Sequence, residues 1–217
     1  MLESIEVTTA SPPKLAVIWL HGLGADGHDF EPIVPELGLR IGVRFVFPHA
    51  PVRRVTINGG APMRAWYDIF GWGGQVSEDS AGIRASATAV ARLIDREIER
   101  GMPADRVVLA GFSQGGAIAL HTALREARAL AGVLALSTYL PLAGTLATER
   151  SAVNASIPIL MAHGSEDPVV PLAYAERSCD VLEGLGYAVD WRTYPMPHSV
   201  CLEEIGAIGA WLAARAA

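Results

Sequence analysis

The sequence predicts an α/β fold in which a mostly parallel central sheet carries helices on both faces. Short, β-branched apolar runs recur along the chain, and most are continuous rather than alternating, the pattern of strands covered on both sides. Helical patterns lie between them, and strands that alternate with helices build parallel sheets through crossover connections. With 217 residues, 51% of them hydrophobic and 18% charged, the chain has apolar material for one well-buried domain, expected over residues 1–217.

In chain order, strands are expected at "IEVTT", "LAVIWLHG", "VRFVFPHAP", "RVVLAGFS", "AGVLALST", "IPILMAHG" and "AVDWRTYP", each bounded by turn residues. The clearest helix is 80–100, where Ile83, Ala87, Val90, Ile94 and Ile98 make one apolar stripe and Gly101 with Pro103 ends it. Further helices are expected at 29–37, 114–125, 172–184 and 201–215. The segment 50–79 has no clear periodicity and gathers Trp66, Tyr67, Phe70 and Trp72 among glycines; irregular segments of that length are often functional.

The charge pattern excludes several function classes. A net charge of −6 with scattered acids leaves no basic surface for nucleic acid or an anionic membrane. The first residues carry acids and no apolar core, and no run approaches a membrane span, so no stable membrane insertion and a cytoplasmic location are expected. Cys179 and Cys201 lack CxxC spacing and a neighbouring histidine cluster, which leaves no disulfide framework and no metal site.

Chemistry enters at "RVVLAGFSQGGA". An apolar strand breaks into Gly-Phe-Ser-Gln-Gly and helix formers resume, the setting of a nucleophile elbow. Gly111 and Gly115 give Ser113 room on a strained turn, and the backbone N–H of Gln114 opens the helix toward the same space. A serine hydroxyl needs a base, and in elbow enzymes the order is serine, acid, histidine. Of six histidines only His121, His163 and His198 follow Ser113. His121 should face away along the helix, and His163 begins the loop where the acid belongs, which leaves His198 after the last strand. In "HGSEDPVVP" Glu166 and Asp167 are adjacent, and Asp167 is favoured because Pro168 restricts its backbone to extended conformations. "IWLHGLGAD" offers the second oxyanion donor, the N–H of Leu23, while His21 and His49 are read as hydrogen-bonded structural residues.

"LHGLGADGHDF", "PHAP", "MRAWYDI", "GFSQGGA", "HGSEDPVVP" and "HS" followed by "EE" occur in that order. Together they resemble the carboxylesterase and acyl-protein thioesterase family of serine hydrolases, over nearly the whole chain. The resemblance implies a compact α/β-hydrolase fold with no large lid domain, acting on a small-molecule ester or thioester without a cofactor. Its nucleophile, acid and base fall on Ser113, Asp167 and His198, and its oxyanion donors on Leu23 and Gln114. Oligomeric state is not read from the sequence, and a homodimer stays open.

The expected reaction is two-step acyl transfer on carboxylic esters of short to medium chain length, with a thioesterase or lysophospholipase acting on long chains as the alternative. A hydrolase-like module used only for binding would not need nucleophile, acid and base in order. Trp66, Phe70 and Trp72 are the expected wall of the acyl pocket, with Val169 and Val170 as a second wall and the bulk of Trp72 limiting chain length. The competing role for these aromatics is to cap the core of the sheet.

Overall fold

The computed structural model describes residues 1–71 and 77–216. Seven strands form one sheet: β1 (Ser4–Thr8), β2 (Leu15–Leu20), β3 (Val43–Pro48), β6 (Val107–Phe112), β7 (Gly132–Leu136), β8 (Ile159–Gly164) and β9 (Val189–Tyr194). Their order is β1-β3-β2-β6-β7-β8-β9, with β1 antiparallel to β3 and every other pairing parallel. The continuous apolar runs mark the interior: all residues of β2, β7 and β8 are buried, whereas the edge strands β1 and β9 are mostly half-buried or exposed.

Strand alternation divides the core in two. Ala16, Ile18, Leu20 and Leu109 face α1 (Ser80–Glu99) and α2 (Gln114–Ala123), with Cys179 and Leu182 of α4 (Leu172–Gly184) in the same cluster. Leu15, Val17, Trp19, Phe45 and Phe47 pack instead with Ile205, Ile208, Trp211 and Leu212 of α5 (Leu202–Arg215). Helices therefore cover both faces, as the sequence predicts. Asp79 caps α1 by accepting the Gly82 N–H at 2.9 Å, and Gly101 leaves it with φ 88°. Glu97, fully buried on α1, meets Arg44 of β3 at 2.7 Å and Arg100 at 2.9 Å; Arg100 also reaches Glu6, so edge strand β1 is tied to the helix layer.

Three expectations change. The helix at 29–37 is two 3₁₀ turns, Glu31–Ile33 and Pro35–Leu37: Pro35 has no N–H to continue a ladder, and Gly38 turns left-handed at φ 62°. The irregular segment 50–79 contains a hairpin of β4 (Val52–Val55) and β5 (Ala61–Arg64). A short helix, α3 (Ala143–Glu149), follows β7. Among the described residues no helix is long and apolar enough to cross a membrane.

Glu204, in the first turn of α5, is 1% exposed, and its carboxyl faces the Cys201 backbone N–H without a close hydrogen bond among the described residues. Burial pushes its pKa from 4.5 up to about 7. Because the folded state holds this proton more tightly than the unfolded chain, its contribution is lost as pH rises from 4.5 through 7. Glu204→Gln should match the parent stability at pH 4 and exceed it at pH 8, by up to roughly 3 kcal/mol. Urea unfolding at the two pH values reads the difference.

Candidate active site

The site forms at the carboxyl ends of parallel strands, where β2 and β6 lie side by side while the chain runs from β2 outward to β3. Ser113 follows β6 with φ 54° and ψ −122°, a conformation that costs on the order of 1–3 kcal/mol for a residue with a Cβ. Its surroundings enforce it. The Ser113 N–H donates to Leu136 O at 2.8 Å, and Thr138 Oγ1 donates to Ser113 O at 2.6 Å. A Cβ on Gly115 would collide with the carbonyl oxygens of Leu20 and His21, and one on Gly111 with the Gly115 backbone. Only glycines allow α2 to start this close to the sheet.

Asp167 and His198 come from the loops after β8 and β9. Asp167 Oδ2 accepts from His198 Nδ1 at 2.6 Å, and Oδ1 accepts from the N–H groups of Val169 and Val170 at 2.8 and 2.9 Å. The carboxylate is thus held from both sides, while the neighbouring Glu166 side chain is exposed. The two loops meet backbone to backbone, since a Cβ on Gly164 would strike Met196 O. The His198 ring packs against Phe112, the residue before Ser113, with centroids 4.7 Å apart. The Ser113 hydroxyl itself has no hydrogen-bond partner among the described residues.

The loop after β2 rides over the elbow: a Cβ on Gly22 would sit 3.6 Å from the Ser113 Cβ. Among the described residues neither the Leu23 nor the Gln114 N–H meets an acceptor, and both residues line the same pocket as Ser113. That pocket holds about 150 Å³, and its other walls are Ile57, Asn58, Tyr67, Ile69, Tyr139, Val169 and Val170. The Tyr67 and Tyr139 hydroxyls are 2.7 Å apart, and burial raises the pKa of both.

Of the expected pocket residues, Val169 and Val170 line this space. Trp66 does not: it is fully buried below, its indole N–H bound to His21 O at 2.8 Å, so it caps the core instead. Phe70 is 44% exposed outside the lining, and Trp72 lies outside the described residues. Ile57, Asn58, Tyr67, Ile69 and Tyr139 were not expected; the Asn58-Gly59 step between β4 and β5 is the hairpin signal that could have found the first two.

The remaining histidines are occupied or buried. His163 Nε2 donates to Val170 O at 2.8 Å and burial lowers its pKa, so it braces the acid loop as a neutral ring. Burial takes His121 down to about 4. His49 Nδ1 accepts the Gly27 N–H at 3.0 Å. Among the described residues no group of three histidine, cysteine, aspartate or glutamate side chains could hold a metal ion.

A family model described as phospholipase/carboxylesterase matches residues 3–215. An acyl-protein thioesterase 1 of Neurospora crassa is 43% identical, covering 92% of this chain and 86% of its own, and one of Gibberella zeae is 40% identical, covering 94% and 91%. The crystal structure of Zea mays acyl-protein thioesterase 2 superposes with a TM-score of 0.89 at 31% identity, covering both chains fully.

This geometry predicts selective reactivity at one hydroxyl. A fluorophosphonate should modify Ser113, located by peptide mass spectrometry, and Ser113→Ala should abolish labelling without loss of fold. Asp167→Asn should slow labelling by up to about 10⁴-fold by disturbing the histidine tautomer. Glu166→Gln should leave the rate unchanged; the reverse order would move the acid to Glu166.

Proposed function

The chain belongs to the phospholipase/carboxylesterase family, and from that membership we propose that it is a serine hydrolase that releases acyl groups from thioesters through an acyl-enzyme. The observation that carries the thioester is the identity of its relatives, which are acyl-protein thioesterases matched over nearly the whole chain. The carboxylesterase expected from sequence gives way to the thioesterase that stood as its alternative.

In this reading the apolar pocket beside Ser113 takes the acyl chain and the carbonyl lies over the elbow. Ser113 Oγ attacks the carbonyl carbon while His198 Nε2 takes the hydroxyl proton; Asp167, on Nδ1, orients the ring and stabilises its cation. The N–H groups of Leu23 and Gln114 hold the developing oxyanion. The C–S bond then breaks, and the proton on Nε2 passes to the departing sulfur. Water attacks the acyl-enzyme by the same proton relay, releasing the carboxylic acid and restoring Ser113.

Oxygen esters are the second reading, favoured by the family's own description, because the same relay can protonate an alkoxide. Peptides carrying one acyl group on cysteine sulfur or on serine oxygen, matched in sequence and varied from acetyl to palmitoyl, separate the two. The thioester should have the higher kcat/KM at each length, with both activities lost in Ser113→Ala; a preference for the oxygen ester would return the reading to carboxylesterase. Along the series kcat/KM should climb as each buried methylene adds ~0.8 kcal/mol, until the pocket is filled.

A further inference from the structure

His21 directly follows β2, is 2% exposed and takes no part in the proton relay. Both of its ring nitrogens are engaged. Nδ1 is 2.7 Å from Gly22 O, and Nε2 is 3.0 Å from the Ala50 N. A carbonyl only accepts and an amide only donates, so the proton must sit on Nδ1 and Nε2 must be the acceptor. Burial lowers the pKa of the ring and keeps it in that neutral form.

The carbonyl that His21 holds belongs to the same peptide unit as the Leu23 N–H. That bond is trans, so its C=O and N–H point in opposite directions. Fixing the Gly22 oxygen on the buried side therefore aims the Leu23 N–H the other way, into the pocket that Leu23 shares with Ser113. Without an anchor this unit would turn easily, because Gly22 precedes it and Gly24, at φ 79°, follows Leu23. Hydrogen bonding to the carbonyl also polarises the N–H toward a stronger donor.

The second donor is tied to the same point. Gln114 Oε1 accepts the Trp66 N–H and its Nε2 donates to Tyr67 O, both at 2.8 Å, while the Trp66 indole N–H donates to His21 O at 2.8 Å and Ser86 Oγ donates to Trp66 O. One buried network thus joins the Leu23 loop to the residue that opens α2.

We propose that His21 is a positioning residue for the oxyanion hole: in its Nδ1–H tautomer it pins the Gly22–Leu23 peptide so that the Leu23 N–H is held ready for the oxyanion. This rests on the serine-hydrolase reading, and the two fail separately. If the wild type turns over neither ester nor thioester, that reading fails; the ratios among variants test His21. His21→Phe should lose about 10²–10³-fold in kcat, the cost of one oxyanion donor, with KM little changed. The Ki of a trifluoromethyl ketone, which forms a tetrahedral oxyanion on Ser113, should rise by the same factor. His21→Asn, whose side-chain N–H₂ can replace the Nδ1 donor, should recover most of the loss, whereas His21→Gln, reaching toward the Nε2 position, should not. Wild-type kcat in a folded His21→Phe protein, a kcat loss without a matching rise in Ki, or equal activity in the Asn and Gln variants would overturn the proposal. Where His21→Phe does not fold, the Asn and Gln pair carries the test.

Discussion

The first turn of α2 lies against the ends of β2 and β6 so closely that the Leu20 and His21 carbonyls occupy the space of a Gly115 side chain. Everything at the site is arranged around that approach. It forces the chain to leave β6 through the strained Ser113 backbone, and the strain persists because the Ser113 N–H and C=O are both bonded to groups at the end of β7. It also sets Gln114 beside the loop after β2, so that two separate stretches of chain, at Leu23 and Gln114, line one pocket with Ser113. A larger residue at position 111 or 115 would separate the helix from the sheet and displace Ser113 and Gln114 together.

A second close approach, Gly164 against Met196, does the same for Asp167 and His198. The loops after β8 and β9 share backbone hydrogen bonds, Ser165 to Tyr194 O and Glu166 to Met196 O, before they diverge to present Asp167 and His198. The imidazole is then set by a carboxylate that is itself held by two amides, and His163 supports the returning turn at Val170. The ring is oriented by parts of the chain that have little freedom of their own.

The central strands were legible because burial on both faces leaves an unbroken apolar run, and their observed ends differ from the expected ones by only a few residues. The turn at Ser113 was legible for a different reason, because a strand-to-helix elbow needs glycines at fixed spacing around the serine, and the Asp167–His198 contact follows chain order alone. What escaped was decided by contacts distant in sequence. Trp66 reads as pocket material until its indole finds a carbonyl 45 residues away, and Tyr139 joins the pocket only because β7 lies next to β6. The β4–β5 hairpin is exposed and carries arginines and a proline, so it has no apolar alternation to announce it. In 29–37 the apolar spacing was real, but two prolines overrode it.

That hairpin stands apart from the seven-stranded sheet, a ribbon whose tip lends Ile57 and Asn58 to the pocket. Its ties to the site include one hydrogen bond from the Gly24 N–H to Arg64 O and one from the Ile57 N–H to Ile69 O. The tip contributes none of Ser113, Asp167 and His198, and its turn faces solvent, where insertions and exchanges are tolerated. The architecture thereby separates two kinds of heritable change. Lengthening the ribbon or exchanging its tip would reshape that pocket wall while the elbow and its neighbours stay as they are, so descendants of one ancestral hydrolase could diverge at the pocket's rim without altering the residues around the elbow.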